Sequence, residues 1–426
     1  MKHTKISPWA WVPSLYFAEG IPYLMVMTIS VLMYKRLGLE NDDIALYTSW
    51  LYLPWVIKPL WSPIVDVLKN KRWWIVIMEF VVGVTLAGVA LTIQTDHFVQ
   101  YTLAFFWLMA FSSATHDIAA DGFYMIGLDS NEQSLFVGIR STFYRVSMIV
   151  GQGLTLIMAG HLEKSTNDIG KAWTMTMAAV AMVFVAIFIY HSFFLPKVKS
   201  DTATQGRGDI VEKFFNTFIE FFMRKGVITA MVFMLLYRFP EALLVKIAPL
   251  FLVDSAEAGG LAMSTENVGI AQGTVGVIGL TLGGILGGIC AASGGFKKWL
   301  WPMVWAITLP DLVYVGLSVF LPHNIWLISA AIAIEQFGYG FGFTAYMLFM
   351  LYFCQGENQT SHYAICTGFM ALSMMLPGMF AGMLQQYLGY TTFFILVVIC
   401  TSLTFIVAAM INIDPSFGKK TTQSKE

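Results

Sequence analysis

Residues 116–145 read HDIAADGFYMIGLDSNEQSLFVGIRSTFYR. Asp117 and Asp121 stand four apart in an otherwise apolar run, so on a helix they share one face. A polar turn follows, and a second helix is predicted from about Ser134, carrying Arg140 and Arg145. The two segments are expected to form an antiparallel hairpin, so depth can be counted from the shared turn. That count places Asp121 and Arg140 ~8–9 Å in from a membrane edge and Asp117 and Arg145 ~14–16 Å in. The deeper level is the middle of a ~30 Å hydrocarbon layer. Charges at such depth are costly. They mark a substrate or proton path, or a pair that locks two helices together.

The composition supplies the membrane. Of 426 residues, 57% are hydrophobic and only 12% charged, where a soluble domain carries about 25% charged. Mean hydropathy is +0.68. A net charge of -1 excludes a generally basic surface for nucleic acid. Cys290, Cys354, Cys366 and Cys400 fall in or beside apolar segments without CxxC spacing. They read as packing residues, with no metal or disulfide role. No small-residue cleavage site follows the first apolar run, so no removable leader is expected.

Apolar runs long enough to span fall at 8–34, 43–68, 73–94, 98–126, 134–161, 171–195, 226–253, 264–293, 299–321, 324–353, 361–388 and 391–412. The expected fold is therefore an all-α integral membrane protein of twelve transmembrane helices. With both termini cytoplasmic, only Lys35, Arg36, Lys164 and Lys171 lie outside, and the orientation follows from that bias. Residues 196–225 are read as a cytoplasmic linker. It opens polar, then carries Ile210, Val211, Phe214, Phe215, Phe218, Ile219 and Phe222 at helical spacing, as a helix lying on the membrane surface does. It joins two six-helix bundles, 1–195 and 226–426. The halves look related: Ile139–Phe143 with Ser147-Met148 lines up with Ile365–Phe369 with Ser373-Met374, and Lys71–Trp74 with Lys297–Leu300. Tyr16 with Glu19 resembles Tyr237 with Glu241. Weak internal symmetry of this kind marks a repeat-built secondary transporter with a site near the midplane.

Depth counting gathers further charges. Glu19 comes ~16 Å and Lys58 ~15 Å from the inner edge, level with Asp117 and Arg145. In the C-terminal half Arg238, Glu241, Asp311 and Glu335 are also deep. Arg238 and Glu241, three apart, can pair on their own helix, and Asp311 and Glu335 read equally as contacts by which helices nine and ten pair with each other. The midplane set reads as a polar cavity for a hydrophilic, anionic solute, because desolvated ion pairs seldom add net stability. Proton coupling needs a carboxyl whose protonation responds to its neighbours. Glu19, Asp117 and Asp121 are the candidates. His116, on another face from Asp117, reads equally as a packing hydrogen-bonder.

Asp66 at the inner end of helix two, followed by Lys69-Asn-Lys-Arg72, has the form of a gate in which Asp66 and Arg72 hold one closed state. The glycines of 269–288 read first as close helix packing. Gly338, Gly340 and Gly342 lie within a span and make no nucleotide loop, so no cofactor is expected. Tyr16, Tyr23, Trp55, Tyr144, Tyr237 and Tyr346 either face the cavity or pack. No nucleophile–base set or metal spacing points to an enzyme.

Four blocks carry a family resemblance: Phe17-Ala-Glu-Gly-Ile-Pro22, Lys58-Pro-Leu-Trp-Ser-Pro63 with Asp66, Ala114-Thr-His-Asp-Ile-Ala-Ala-Asp121, and Tyr144-Arg145. On these the chain resembles the AmpG-type muropeptide permeases of the major facilitator superfamily and their relatives the acetyl-CoA transporters. The resemblance implies proton-driven import, across a bacterial inner membrane, of a cell-wall fragment built on anhydromuramyl sugar. After the second aspartate many of that group continue Ala-Trp-Lys. This chain has Gly122-Phe123-Tyr124, so a base is absent there, and Glu19 is not the block's usual residue. The cargo is accordingly read as an anionic sugar or amino-sugar oligosaccharide, muropeptide or acidic glycan. A siderophore or an acyl-CoA is the alternative on the same fold. Tyr16, Lys58, Arg140, Tyr144, Arg145, Arg238 and Glu241 are expected to hold the substrate, and a monomer in the lipid bilayer is the expected working unit.

Overall fold

The computed structural model describes residues 6–199, 201–202, 207–356 and 359–417. The side chain of Asp66 lies outside the described residues. So do those of Ile210, Val211 and Phe214 in the expected surface helix, and the lysines at both chain ends. Among the described residues the chain is helical throughout, with no strand.

The helices are α1 (Pro8–Arg36), α2 (Asn41–Trp50), α3 (Leu53–Leu68), α4 (Lys71–Thr92), α5 (Phe98–Gly127), α6 (Ser130–Met148), α7 (Thr155–Thr166) and α8 (Ile169–Phe194). They continue with α9 (Arg207–Met223), α10 (Val227–Leu236), α11 (Phe239–Val253), α12 (Thr265–Gly294), α13 (Phe296–Thr308), α14 (Leu312–Phe320), α15 (Ile325–Phe353), α16 (Gln359–Leu388) and α17 (Tyr390–Met410). Ten stretches of the described residues are long and apolar enough to cross a membrane. The second and fifth expected segments are helical too but fall short of that measure. One is broken at Leu51-Tyr52, and the other carries Arg140 and Arg145. Large side chains such as Leu91, Phe193, Ile228 and Phe320 stand exposed around the helices, as lipid-facing residues do.

Two compact units are present: residues 1–39 with 50–216, and 40–49 with 217–426. In the first, α4 packs on α5 and α8, and α1 packs against both α5 and α6. A core of Trp11, Tyr16, Ile75, Phe123 and Tyr124 sits at one end. In the second, α15 packs on α12 and α13, and Phe233, Tyr237, Phe296, Met303 and Tyr346 fill the core. Tyr237 donates to the Gly342 carbonyl (3.1 Å) and Tyr346 to the Met234 carbonyl (2.8 Å), so both tyrosines are packing residues. α2 belongs to this second unit. The Asn41 amide donates to Gln385 Oε1 (2.7 Å) and to the Tyr390 hydroxyl (2.9 Å). A Cβ on Gly382 would come 2.3 Å from the Asn41 carbonyl oxygen, so glycine permits the approach.

Helix breaks position the polar residues. Pro240 sits in the first turn of α11, where its missing N–H and its ring prevent bonding back to the end of α10. Leu309-Pro310-Asp311 forms a 3-10 turn between α13 and α14. Wider π-helical turns interrupt α1 at Met25–Ile29 and α12 at Gly269–Gly276, and a third at Ile149–Leu154 joins α6 to α7.

The α12–α15 contact is set by backbone approach. A Cβ on Gly283 would lie 2.0 Å from the Phe337 carbonyl oxygen, and one on Gly340 would lie 2.1 Å from that of Leu280. Neither backbone can yield as a flexible side chain would. Gly283→Leu is expected to cost at least about 1–3 kcal/mol by overpacking, read as earlier thermal unfolding in detergent. Gly288→Ala, where a Cβ meets nothing within 4 Å, leaves the midpoint unchanged.

Candidate functional site

The first unit gathers charge around α1. Tyr16 and Glu19 are three residues apart and share a helix face. α3 brings Lys58 to Asp117 on α5, and the two form an ion pair. Their side chains remain 21% and 22% exposed, so packing does not seal the pair completely. One turn along α5, Asp121 meets Arg140 Nη2 at 2.8 Å. The Tyr16 hydroxyl donates to the same carboxylate oxygen (3.2 Å). The Arg140 guanidinium lies 4.5 Å from the Tyr16 ring centre and 5.5 Å from that of Tyr124, within cation–π range. Glu19 lies within electrostatic reach of Asp117 and Asp121, and its buried Oε2 accepts no hydrogen bond. These helices approach closely because Gly20 has no side chain: a Cβ there would fall 1.9 Å from Ser147 Oγ.

The expected hairpin needs a correction. α1 packs against both α5 and α6, so the two are not simple neighbours along their length. Asp121 and Arg140 still meet beside Tyr16. Asp117 meets Lys58 instead of Arg145, because a depth count fixes level and not direction around the helix. Arg145 is half-buried and forms no ion pair among the described residues. Tyr144 lies within electrostatic reach of Tyr23, Glu19, Asp117 and Asp121. Tyr23 meets Trp55 edge to face, centres 5.2 Å apart. After Asp121, the space over Gly122 is filled by the stem of Lys71, whose Cε would lie 2.4 Å from an added Cβ. A base absent from the local sequence therefore arrives from α4. Arg72 donates through Nε to the Leu195 carbonyl (3.1 Å) and through Nη2 to that of Ser192 (2.6 Å). It satisfies carbonyls that the end of α8 leaves open.

A second polar cluster escaped the sequence reading. Glu79 of α4 is buried, with Oε1 3.3 Å from His116 Nε2 and 2.6 Å from His191 Nδ1. Ser14 Oγ lies 2.8 Å from the other nitrogen of His191. This ties α1, α4, α5 and α8 together, and gives His116 the packing role. The signal was present: Glu79 and His191 are single ionisable residues inside long apolar runs, the same criterion that found Asp117.

In the second unit Arg238 does not pair with Glu241. Neither Glu241 oxygen accepts a hydrogen bond. The helix breaks at Arg238, which caps α11, so the expected three-residue spacing does not run along one continuous helix. Arg238 instead donates to the Tyr339 hydroxyl and lies 4.6 Å from the Phe343 ring centre. Lys246 donates to Thr48 Oγ1 (2.8 Å).

These helices make a multi-pass membrane protein, and they have the fold of transporters of the major facilitator type. The BT1 family matches residues 19–294, and the chain belongs to that family. It is 23% identical to a putative transporter AmpG 4 of Rickettsia conorii, over 90% of this chain and 92% of that one. It is 22% identical to the anhydromuropeptide permease of Escherichia coli K12, over 89% and 75%. Among solved structures, a bacterial homolog of the human lysosomal transporter Spinster superposes with a TM-score of 0.70. The match covers 96% of each chain at 13% identity.

Two ionisable residues of the first unit predict opposite variant behaviour. Glu79→Ala leaves two buried imidazoles without their shared acceptor and is expected to cost roughly 3 kcal/mol, seen as a lower unfolding midpoint in detergent. Arg145→Ala, which removes no ion pair, leaves that midpoint within about 0.5 kcal/mol of wild type.

Proposed function

We propose that this protein is a proton-coupled importer of an anionic sugar or amino-sugar oligosaccharide, with anhydromuropeptide the first candidate. It works as a monomer in a bacterial inner membrane with both termini cytoplasmic. The observation that carries the reading is the partly exposed Lys58–Asp117 pair with a second buried acid, Glu19, within its electrostatic reach. Two acids beside one lysine favour a proton on one of them. An arriving anion competes for Lys58 and Arg140, and each carboxylate released from its base becomes a better proton acceptor. Proton and anion therefore bind together, and their charges largely cancel, which lowers the cost of carrying either through lipid. Tyr16 and Tyr144 offer ring faces and hydroxyls to a sugar. The names of the permease relatives support cell-wall sugar as the cargo.

Uptake into proteoliposomes with an imposed proton gradient tests this. Anhydromuramyl disaccharide is expected to accumulate, and a protonophore to abolish the accumulation. Asp117→Asn is expected to lose accumulation and keep counterflow. Arg140→Ala is expected to weaken apparent affinity about tenfold to a hundredfold, the loss of one charge-assisted contact. Unchanged, pH-driven accumulation in Asp117→Asn removes that residue from coupling. Uptake of a uronate-bearing disaccharide alone moves the cargo to acidic glycans.

A further inference from the structure

The second unit holds a group of acids that the transport reading above does not use. Glu241 stands in the first turn of α11, Asp311 ends the 3-10 turn between α13 and α14, and Glu335 lies mid-way along α15. One carboxyl oxygen from each lies within 4.8 Å of the other two. The residues are 2%, 3% and 2% exposed. The segments that carry them come from distant parts of the chain, and two of the three acids sit at helix breaks.

We propose that Glu241, Asp311 and Glu335 form a metal-cation site, taking one small metal ion as the counter-charge to three converging carboxyls. Three observations support it. First, both oxygens of Glu241 are buried and accept no hydrogen bond, so a fully buried acid points into the cluster with nothing to receive it. Second, Arg238 faces the cluster but hydrogen-bonds neither oxygen of Glu241. Three carboxylates so close in a low-dielectric interior repel strongly and need positive charge among them. Third, the spacing fits. Two metal–oxygen bonds of ~2.4 Å span it. Gln336 donates its amide to both oxygens of Glu335 (3.0 and 3.3 Å), which holds that carboxyl in place. Broken helices at mid-membrane are where transporters bind coupling ions. The titratable groups facing the cluster are Arg238 at the start of α11 and Tyr314 on α14. Among the described residues, α16 and α17 present none that acts on it.

The site does not depend on the cargo or on the charges of the first unit, so its test needs no transport. Full-length protein in detergent is unfolded by heat at pH 6 to 9, in choline chloride or with NaCl, LiCl, KCl or CaCl2 at matched ionic strength. A metal site is expected to raise the midpoint by about 3–6 °C for one cation at saturation, and Glu241→Gln or Asp311→Asn to abolish the rise. Should Asp311→Asn fail to fold, Glu241→Gln and Glu335→Gln carry the test. A midpoint that no salt raises specifically at any pH, or the same salt response in wild type and variants, overturns the proposal.

Discussion

A charge in the middle of a bilayer is costly unless something neutralises it, and the ion pairs of the first unit are arranged around that constraint. Lys58 and Asp117 neutralise each other between α3 and α5, and Asp121 and Arg140 do so beside Tyr16. Glu79 is answered by two histidines. Near a helix end, Arg36 and Glu163 pair through two parallel contacts (3.1 and 2.9 Å), with Trp173 donating to the same carboxylate (2.9 Å). The clusters differ in what surrounds them. The Glu79 group is closed on all sides and acts as a bolt through four helices. The Lys58 and Arg140 pairs keep part of their surface open. An ion pair gains little over apolar packing when sealed, so partial openness is what separates a path from a lock.

Backbone approach supplies the second constraint. Without a hydrophobic force between helices in lipid, contact rests on fit. Gly20 against Ser147, Gly283 against Phe337 and Gly382 against Asn41 let elements meet at distances that any side chain would prevent. Prolines do the complementary work. Pro240 and Pro310 stop helices at mid-depth, and the acids Glu241 and Asp311 stand at the interruptions. The same breaks that free backbone groups therefore place the carboxyls where an ion can reach both.

Much of this was legible in the chain. Apolar runs gave the helical class, and lone charges within them singled out Glu19, Lys58, Asp117 and Arg140. Direction around the axis is not fixed by a count, and there the reading went astray. Arg145 shares a level with Asp117 yet Lys58 is the partner. Arg238 and Glu241 sit three apart, but the break between α10 and α11 removes the shared face. The arrival of Lys71 over Gly122, and of α2 in the second unit, depend on tertiary packing that local pattern does not encode. Glu79 and His191 were visible as single ionisable residues in apolar runs. Their meeting requires the packing of α4 on α8.

The central claim is that anion and proton travel together through the paired charges of the first unit. The most direct measurement is the internal pH of sealed proteoliposomes, with no gradient imposed, when anhydromuramyl disaccharide is added outside. Coupled entry predicts internal acidification that follows substrate dose in wild type and is absent in Asp117→Asn. Entry of the labelled disaccharide with the internal pH unchanged would contradict the account.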